Sequence, residues 1–403
     1  MKSQKKTKKT VFLEEVHIKN FLSLRDVVLP LKPLTVLVGA NASGKTNILK
    51  SLRFLTKTMD YGPMILDVKD FIWGGKADSA CFQLLVKIDE SIATYKLELK
   101  VKIQVSTKIA VEELVVNGVN VISVQNGYGK VRDEDGKNPT IYKPTRPKVA
   151  LKSASDYGNK PLTSALSNFI QEWTFYDFEP DKVREVIDME EALEGYKCSH
   201  KKPVQLTGDG STLRAILLYW LMKDKLRFKF INEALENSIN RRIEYLPDEG
   251  DENLYLSEGC ENPISLNFAS DGTMRLLAYQ VLLNHPHIPS LIAIEEPERN
   301  LHPAALKEIA SVLERLADRT QVIITTHSSQ LLDAFNPESL SSGKMGVLML
   351  QNIPGKGTQI KNLEELRKDR DALDGWIADF GIGSAIFDSE LLQDITESQS
   401  CQA

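Results

Sequence analysis

Residues 35–47 read TVLVGANASGKTN. An apolar run leads into Gly39, and Gly44, Lys45 and Thr46 complete the order G-x-x-x-x-G-K-[ST]. Ile48, Leu49, Leu52 and Leu55 then fall on one helical face. Strand, glycine-rich turn and helix in that order build a cradle for phosphate. Glycines let backbone N–H groups turn inward around an anion. The helix N-terminus adds partial positive charge. Lys45 is placed to reach the β- and γ-phosphates, and Thr46 to ligate Mg²⁺. Asn41, Ala42, Ser43 and Asn47 complete the nucleotide-binding segment.

A cradle of this kind needs acids on a second strand. Residues 291–303 read LIAIEEPERNLHP, where an apolar run ends in Glu295 and Glu296. Carboxylates beside a buried strand are costly unless a cation faces them. Glu295 is assigned to Mg²⁺ and Glu296 to the attacking water, as general base or orienting group. Successive strand residues point to opposite faces, so the two need not share a role. The acids also suit the N-terminus of the helix that follows, which accounts for Glu298 better than for the pair.

A third apolar run, QVIITTHSSQ (321–330), ends at His327. At the carboxyl edge of a parallel sheet this histidine can meet the γ-phosphate or the water. In NFASDGTMRLLAY (267–279), Ser270, Asp271 and Gly272 open a helix. That is either a second anion-ready terminus or an ordinary S-D-G-T cap. His302 reads as part of a tight turn or a subunit contact.

The chain has 403 residues, 42% hydrophobic and 26% charged, which is ordinary for a globular protein of one large domain or two to three smaller ones. No stretch approaches the roughly 18 apolar residues of a membrane span. The basic start MKSQKKTKKT lacks the apolar core of a secretory signal and reads as a solvated tail. Four scattered cysteines fit a reducing cytoplasm. A net charge of −5 argues against a protein that coats nucleic acid. Residues 80–150 are strand-rich, 160–245 helix-rich and 247–263 polar and loop-like. Strand and helix then alternate, which predicts an α/β fold with a parallel layer.

Taken together, the motifs resemble the ATP-binding-cassette superfamily, and within it the SMC, RecF and OLD-like branch. The resemblance rests on HIKNFLSLRDVVLPLKPLTVLVGANASGKTN (17–47), ASDGTMRLL (269–277), AIEEPERNLHP (293–303) and VIITTHSSQLL (322–332). It implies a P-loop ATPase head of α/β class, with a mixed sheet core, a β-rich lobe and a helical insert. The corresponding divisions are a basic tail 1–11, a first lobe 12–160, a mainly helical insert 161–260, a second lobe 261–345 and a C-terminal α+β tail 346–403. The resemblance places adenine near Lys19, Asn20 and Phe21. It makes Ser270, Asp271 and Gly272 a signature that acts on nucleotide held by a second copy. Asn300 and Leu301 fall in the D-loop at the seam between copies. ATP and Mg²⁺ are the implied cofactors, and a homodimer formed on ATP binding is the implied assembly.

The sequence departs from the family in three places. Glu295 stands where an Asp is usual. DFIWGG (70–75) lies where a Q-loop belongs but has no glutamine. No acidic nuclease region follows residue 335. The resemblance therefore implies an ATP-dependent switch in bacterial antiphage defence, working with a separate effector protein such as a nuclease. RecF-like DNA repair is the alternative, and a transporter subunit a distant one. DNA binding and higher oligomers stay open, and no membrane association is expected.

Overall fold

The computed structural model describes residues 9–62, 68–75, 77–100, 108–144, 148–155, 159–184, 204–246, 254–257, 263–369 and 371–387. Most of the expected N-terminal tail therefore lies outside the described residues.

The strands in chain order are β1 (Val11–Phe21), β2 (Leu24–Pro30), β3 (Leu34–Val38), β4 (Ser79–Ile88), β5 (Ser91–Lys100), β6 (Lys108–Val116), β7 (Val119–Gln125), β8 (Tyr128–Val131) and β9 (Thr140–Tyr142). Then come β10 (Trp173–Tyr176), β11 (Arg242–Tyr245), β12 (Leu254–Ser257), β13 (Ile264–Ser265), β14 (Leu291–Glu295), β15 (Gln321–Thr326), β16 (Met345–Ile353) and β17 (Gly357–Asn362). They form three sheets. An antiparallel sheet runs β2-β1-β4-β5-β6-β7-β8-β9, a mixed sheet β10-β14-β15-β3-β16-β17, and a small one β11-β12-β13.

The mixed sheet divides the interior because side chains alternate across it. Val36 and Val38 of β3 enter one core with Ile292, Ile294, Val322 and Ile324. Leu37 enters the other, with Leu291, Ala293, Ile323 and Leu348. The helices Asp271–Asn284 and Leu306–Ala317 cover the first face. The helix Lys45–Tyr61 and the antiparallel sheet cover the second. Strands buried on both faces read as continuous apolar runs, which is why β3, β14 and β15 are visible in the sequence.

Two buried polar groups hold the layers. The Gln321 amide clips the backbone of Leu13, its Oε1 accepting from the N–H at 2.6 Å and its Nε2 donating to the carbonyl at 2.9 Å. Glu112 accepts from Ala150 N and Leu151 N, each at 2.7 Å, and from the Tyr95 hydroxyl at 3.1 Å. Burial outweighs those donors and raises Glu112 from its ordinary 4.5 to about 7.

The structure revises three expectations. Trp173–Tyr176, inside the stretch expected as helical insert, is the edge strand β10, parallel to β14. Leu254–Ser257, in the polar stretch expected as loop, is a buried strand. The stretch expected as a tail from 346 supplies β16, which pairs with β3 itself.

Gln321→Ala leaves the Leu13 amide and carbonyl unpaired, and it should lower unfolding free energy by roughly 2–4 kcal/mol in chemical denaturation. Glu112 binds its proton more tightly folded than unfolded, so its contribution to stability is full below pH 4.5 and is lost as pH rises through about 7. Comparing the pH dependence of stability in the natural chain and Glu112→Gln measures this directly, and the variant should show a shallower fall.

Candidate functional site

Register brings three loops to one edge. In the parallel sheet Glu295 pairs with Thr325, and Val38 pairs with Thr326 on one side and Met349 on the other. The carboxyl ends of β14, β15 and β3 therefore stop within one residue of each other. The glutamates, His327 and the glycine loop all begin there.

The loop is closely fitted. A Cβ on Gly39 would come within 2.4 Å of the Leu350 carbonyl oxygen and 2.8 Å of Ser43 Oγ. Gly44 has φ +109° and caps the following helix, and a Cβ there would meet Thr358 Oγ1 at 2.2 Å. Ala42 is also left-handed, with φ 63°. Asn41 and Ala42 are exposed at the tip, and Ser43 is buried with its Oγ unpaired. The Lys45 ammonium donates to Gly39 O at 2.7 Å and Ala40 O at 2.9 Å. Burial lowers its pKa, while Glu296, Glu298 and Glu295 pull it back up. A buried ammonium held by two loop carbonyls, with a spare hydroxyl on the same loop, suits an anion that can take over the carbonyls' role.

On the acid side, the Thr46 hydroxyl donates to Glu295 Oε1. Glu296 has left the strand: its φ is 43°, and its N–H is held by Thr325 O at 3.1 Å and Thr325 Oγ1 at 3.2 Å. This turn, rather than strand alternation, separates the two carboxylates. The Glu296 Oε1 then meets His327 Nδ1 at 3.0 Å. Among the described residues no group of three or more His, Cys, Asp or Glu could hold a metal alone. One hydroxyl and one carboxylate suit Mg²⁺, which keeps water and phosphate oxygens in its shell.

Ser270 caps its own helix, accepting from Thr273 N at 3.2 Å. Asp271 is occupied by Arg184 and, at 3.4 Å, by Asn300 Nδ2. Gly272 lies against the D-loop, where a Cβ would come within 2.9 Å of Asn300 O. Asn300 has φ 62°, and Leu301 packs on the helical core. The start of the signature helix and the D-loop thus meet at the surface, where Ser270 and Asn300 are exposed. His302 Nδ1 accepts from Ala304 N at 3.2 Å, which makes it a turn residue in this chain.

The adenine expectation needs correction at Phe21. Its ring is fully buried, stacked on Phe71 at 5.4 Å between centroids, so it cannot face a base. Asn20 sits at the strand end with φ 58°. Asn47 Nδ2 donates to Ser23 Oγ at 2.8 Å, and Ser23 Oγ meets Thr358 Oγ1 at 2.7 Å. Ser23 and Thr358 therefore brace the loop from outside. Nothing in their local sequence marks them; only the folded hairpin β16–β17 brings Thr358 there.

This fold and edge define a class, the P-loop ATPase head with cassette-type motifs. A family described as AAA ATPase domain matches residues 12–207. Another, an AAA domain whose description names the AbiEii toxin and a Type IV TA system, matches residues 199–333. The OLD nuclease of Thermus scotoductus is 26% identical over 352 residues, and the match takes in 81% of this chain but only 61% of that protein. An SMC head solved with the C-winged helix domain of ScpA gives a TM-score of 0.53 at 14% identity, covering 89% of this chain and 99% of that one. An SMC head with an extended coiled coil, bound to the C-terminal domain of ScpA derived from Pyrococcus furiosus, gives 0.50 at 14% identity, covering 90% and 99%. The chain is thus similar to AAA-type ATPase domains from residue 12 to residue 333, resembles the OLD nuclease in sequence, and shares the fold of SMC heads.

Gly44→Ala forces a side chain into both a left-handed backbone and Thr358. Isothermal titration should show ATP binding weakened by about tenfold or more, the scale of one such strain.

Proposed function

We propose that the chain is a Mg²⁺-dependent ATPase that closes head to tail with a second copy and so switches a partner protein on or off. The observation behind it is a division of the motifs within one chain. Lys45, Thr46, Glu295, Glu296 and His327 share one edge, whereas the hydrogen bonds of Ser270 and Asp271 go to Thr273, Arg184 and Asn300. A second copy would supply the signature from outside.

In this reading the glycine loop and Lys45 bind the phosphates. Thr46 and Glu295 would hold Mg²⁺, which neutralises the β- and γ-phosphate oxygens when bound. Glu296 orients the attacking water and takes its proton at Oε1 or Oε2. His327, fixed to Glu296 through Nδ1, presents Nε2 toward the γ-phosphate. Ser270 and Gly272 of a second copy would close the far side and exclude bulk water. Asn300 and Leu301 line the seam.

Likeness to the OLD nuclease, and to a family whose description names a toxin, supports a place in bacterial antiphage defence. The SMC heads were solved with ScpA domains bound, which supports a protein partner rather than DNA as the first to seek. A separate effector, nuclease or otherwise, would read the state of the dimer. No helix among the described residues is long and apolar enough to cross a membrane.

Glu296→Gln keeps the shape and loses the base. It should bind ATP, form dimers in light scattering only with ATP and Mg²⁺, and turn over about 100-fold more slowly or less. Chelating the metal should stop turnover of the natural chain. Wild-type hydrolysis by Glu296→Gln rejects the assignment, and a monomer under every nucleotide condition rejects the switch.

A further inference from the structure

The stretch YDFEPDKVR (176–184) runs on from the edge strand β10 and belongs to none of the ATPase motifs. Its apolar residues pin it down. Phe178 and Val183 are buried, and the Phe178 ring meets Tyr279 of the signature helix at 5.1 Å between centroids. Asp177 N donates to Gly208 O at 2.8 Å, and Glu179 N donates to Asp209 O at 3.2 Å. Pro180 opens the single turn Pro180–Val183, and Arg184 ends it. The charged residues at the two ends of this strap are therefore carried on a fixed backbone.

The two ends reach two different loops. Arg184 Nη2 donates to Ala269 O at 2.9 Å and to Asp271 Oδ1. One guanidinium nitrogen thus grips the residue before Ser270 and the residue after it. At the other end Asp177 Oδ1 accepts from Arg299 Nη2, one residue before the D-loop asparagine. Asn300 Nδ2 donates to Asp271 Oδ2 at 3.4 Å and closes the ring. Strap, signature and D-loop are so joined pairwise, and none of these bonds involves Lys45, Thr46, Glu295 or His327. An exposed ion pair would do little here. The Arg184 side chain is only 20% exposed, however, and one of its acceptors is a main-chain carbonyl, so it locks backbone rather than a mobile side chain.

We propose that Arg184 is a positioning residue for the signature. It fixes the chain on both sides of Ser270, and the strap Asp177–Arg184 holds that serine beside the D-loop, ready to meet a second copy's nucleotide. Arg184 touches no nucleotide and acts through Ser270. Its loss frees a helix start that must meet a phosphate held by another chain, where a small misplacement is costly. The damage falls on the partner's site, while the cradle in the same chain is spared. This rests on the head-to-tail reading above.

The test mixes full-length variants and follows steady-state ATP hydrolysis. Arg184→Ala should bind ATP as the natural chain does in isothermal titration, yet its kcat should fall roughly tenfold or more. Arg184→Lys should recover part of the rate. Lys45→Ala, with a disabled cradle and a natural signature, should be inactive alone. An equal mixture of Arg184→Ala with Lys45→Ala should regain up to about a quarter of the natural rate. Half of randomly paired dimers are mixed, and each has one site built from a natural cradle and a natural signature. A residue that only stabilises its own chain gives no such gain. Ser270→Arg mixed with Lys45→Ala is the control for the dimer itself. No gain in that control rejects the head-to-tail reading. A gain in the control but none with Arg184→Ala rejects only the role of Arg184. A natural kcat in Arg184→Ala, or weakened ATP binding by it, also overturns the proposal. If Arg184→Ala does not fold, Arg184→Gln, which keeps a donor and loses the charge, carries the same mixing comparison.

Discussion

The parallel pairing of β3 between β15 and β16 is the constraint on which the rest of the site depends. Parallel neighbours lie roughly 4.8 Å apart, so their ends can stack as rungs. Here Val38 is level with Thr326, and Glu295 with Thr325. A shift of one residue would move every apolar side chain to the wrong face. The two separate cores, one holding Val36 and the other Leu37, forbid that shift. Hydrophobic burial thus fixes the register, and the register gathers a lysine, a threonine, two glutamates and a histidine along one sheet edge.

The cradle also depends on distant parts of the chain. The Leu350 carbonyl closes on Gly39, and Thr358 closes on Gly44. Ser23, from the turn between β1 and β2, joins Thr358 to Asn47. The hairpin β16–β17 and the antiparallel sheet therefore grip the loop at both ends. A glycine loop is entropically expensive to order. Pre-ordering it against packed strands lowers that cost before any ligand arrives.

What was legible in the sequence was what is local or buried on both faces. The cradle shows itself because strand, turn and helix are contiguous. β14 and β15 show themselves because both their faces are apolar. β10 does not, since WTFY is four residues long and flanked by helical sequence, and periodicity needs a longer window. Leu254–Ser257 hides for the same reason inside a polar stretch. Phe21 misleads because the family resemblance carries the adenine contact to this strand end, whereas the neighbouring Phe54, Phe71 and Phe82 draw its ring into the core. The exposed signature surface is local in sequence, but its pairing with Asn300 is not.

The paired glutamates diverge through a backbone turn that strand alternation does not predict. Strand alternation would send Glu296 to the face opposite Glu295. In the structure the strand ends at Glu295, and Glu296 turns left-handed at φ 43°. A non-glycine residue there stores about 1–3 kcal/mol of strain unless its surroundings over-determine it. They do: Thr325 holds the Glu296 N–H through two oxygens, and Arg299 N donates to the Glu296 carbonyl at 3.0 Å. Pro297 is buried immediately after. A glycine would take this backbone without strain but would bring no carboxylate to His327. The strain is thus the cost of bending the chain, in a single residue, between an acid that meets Thr46 and an acid that meets His327. It also explains why β15 ends in threonines. Thr325 holds the bend, and Thr326 holds Glu298, so the strand that carries His327 also fixes the acids beside it.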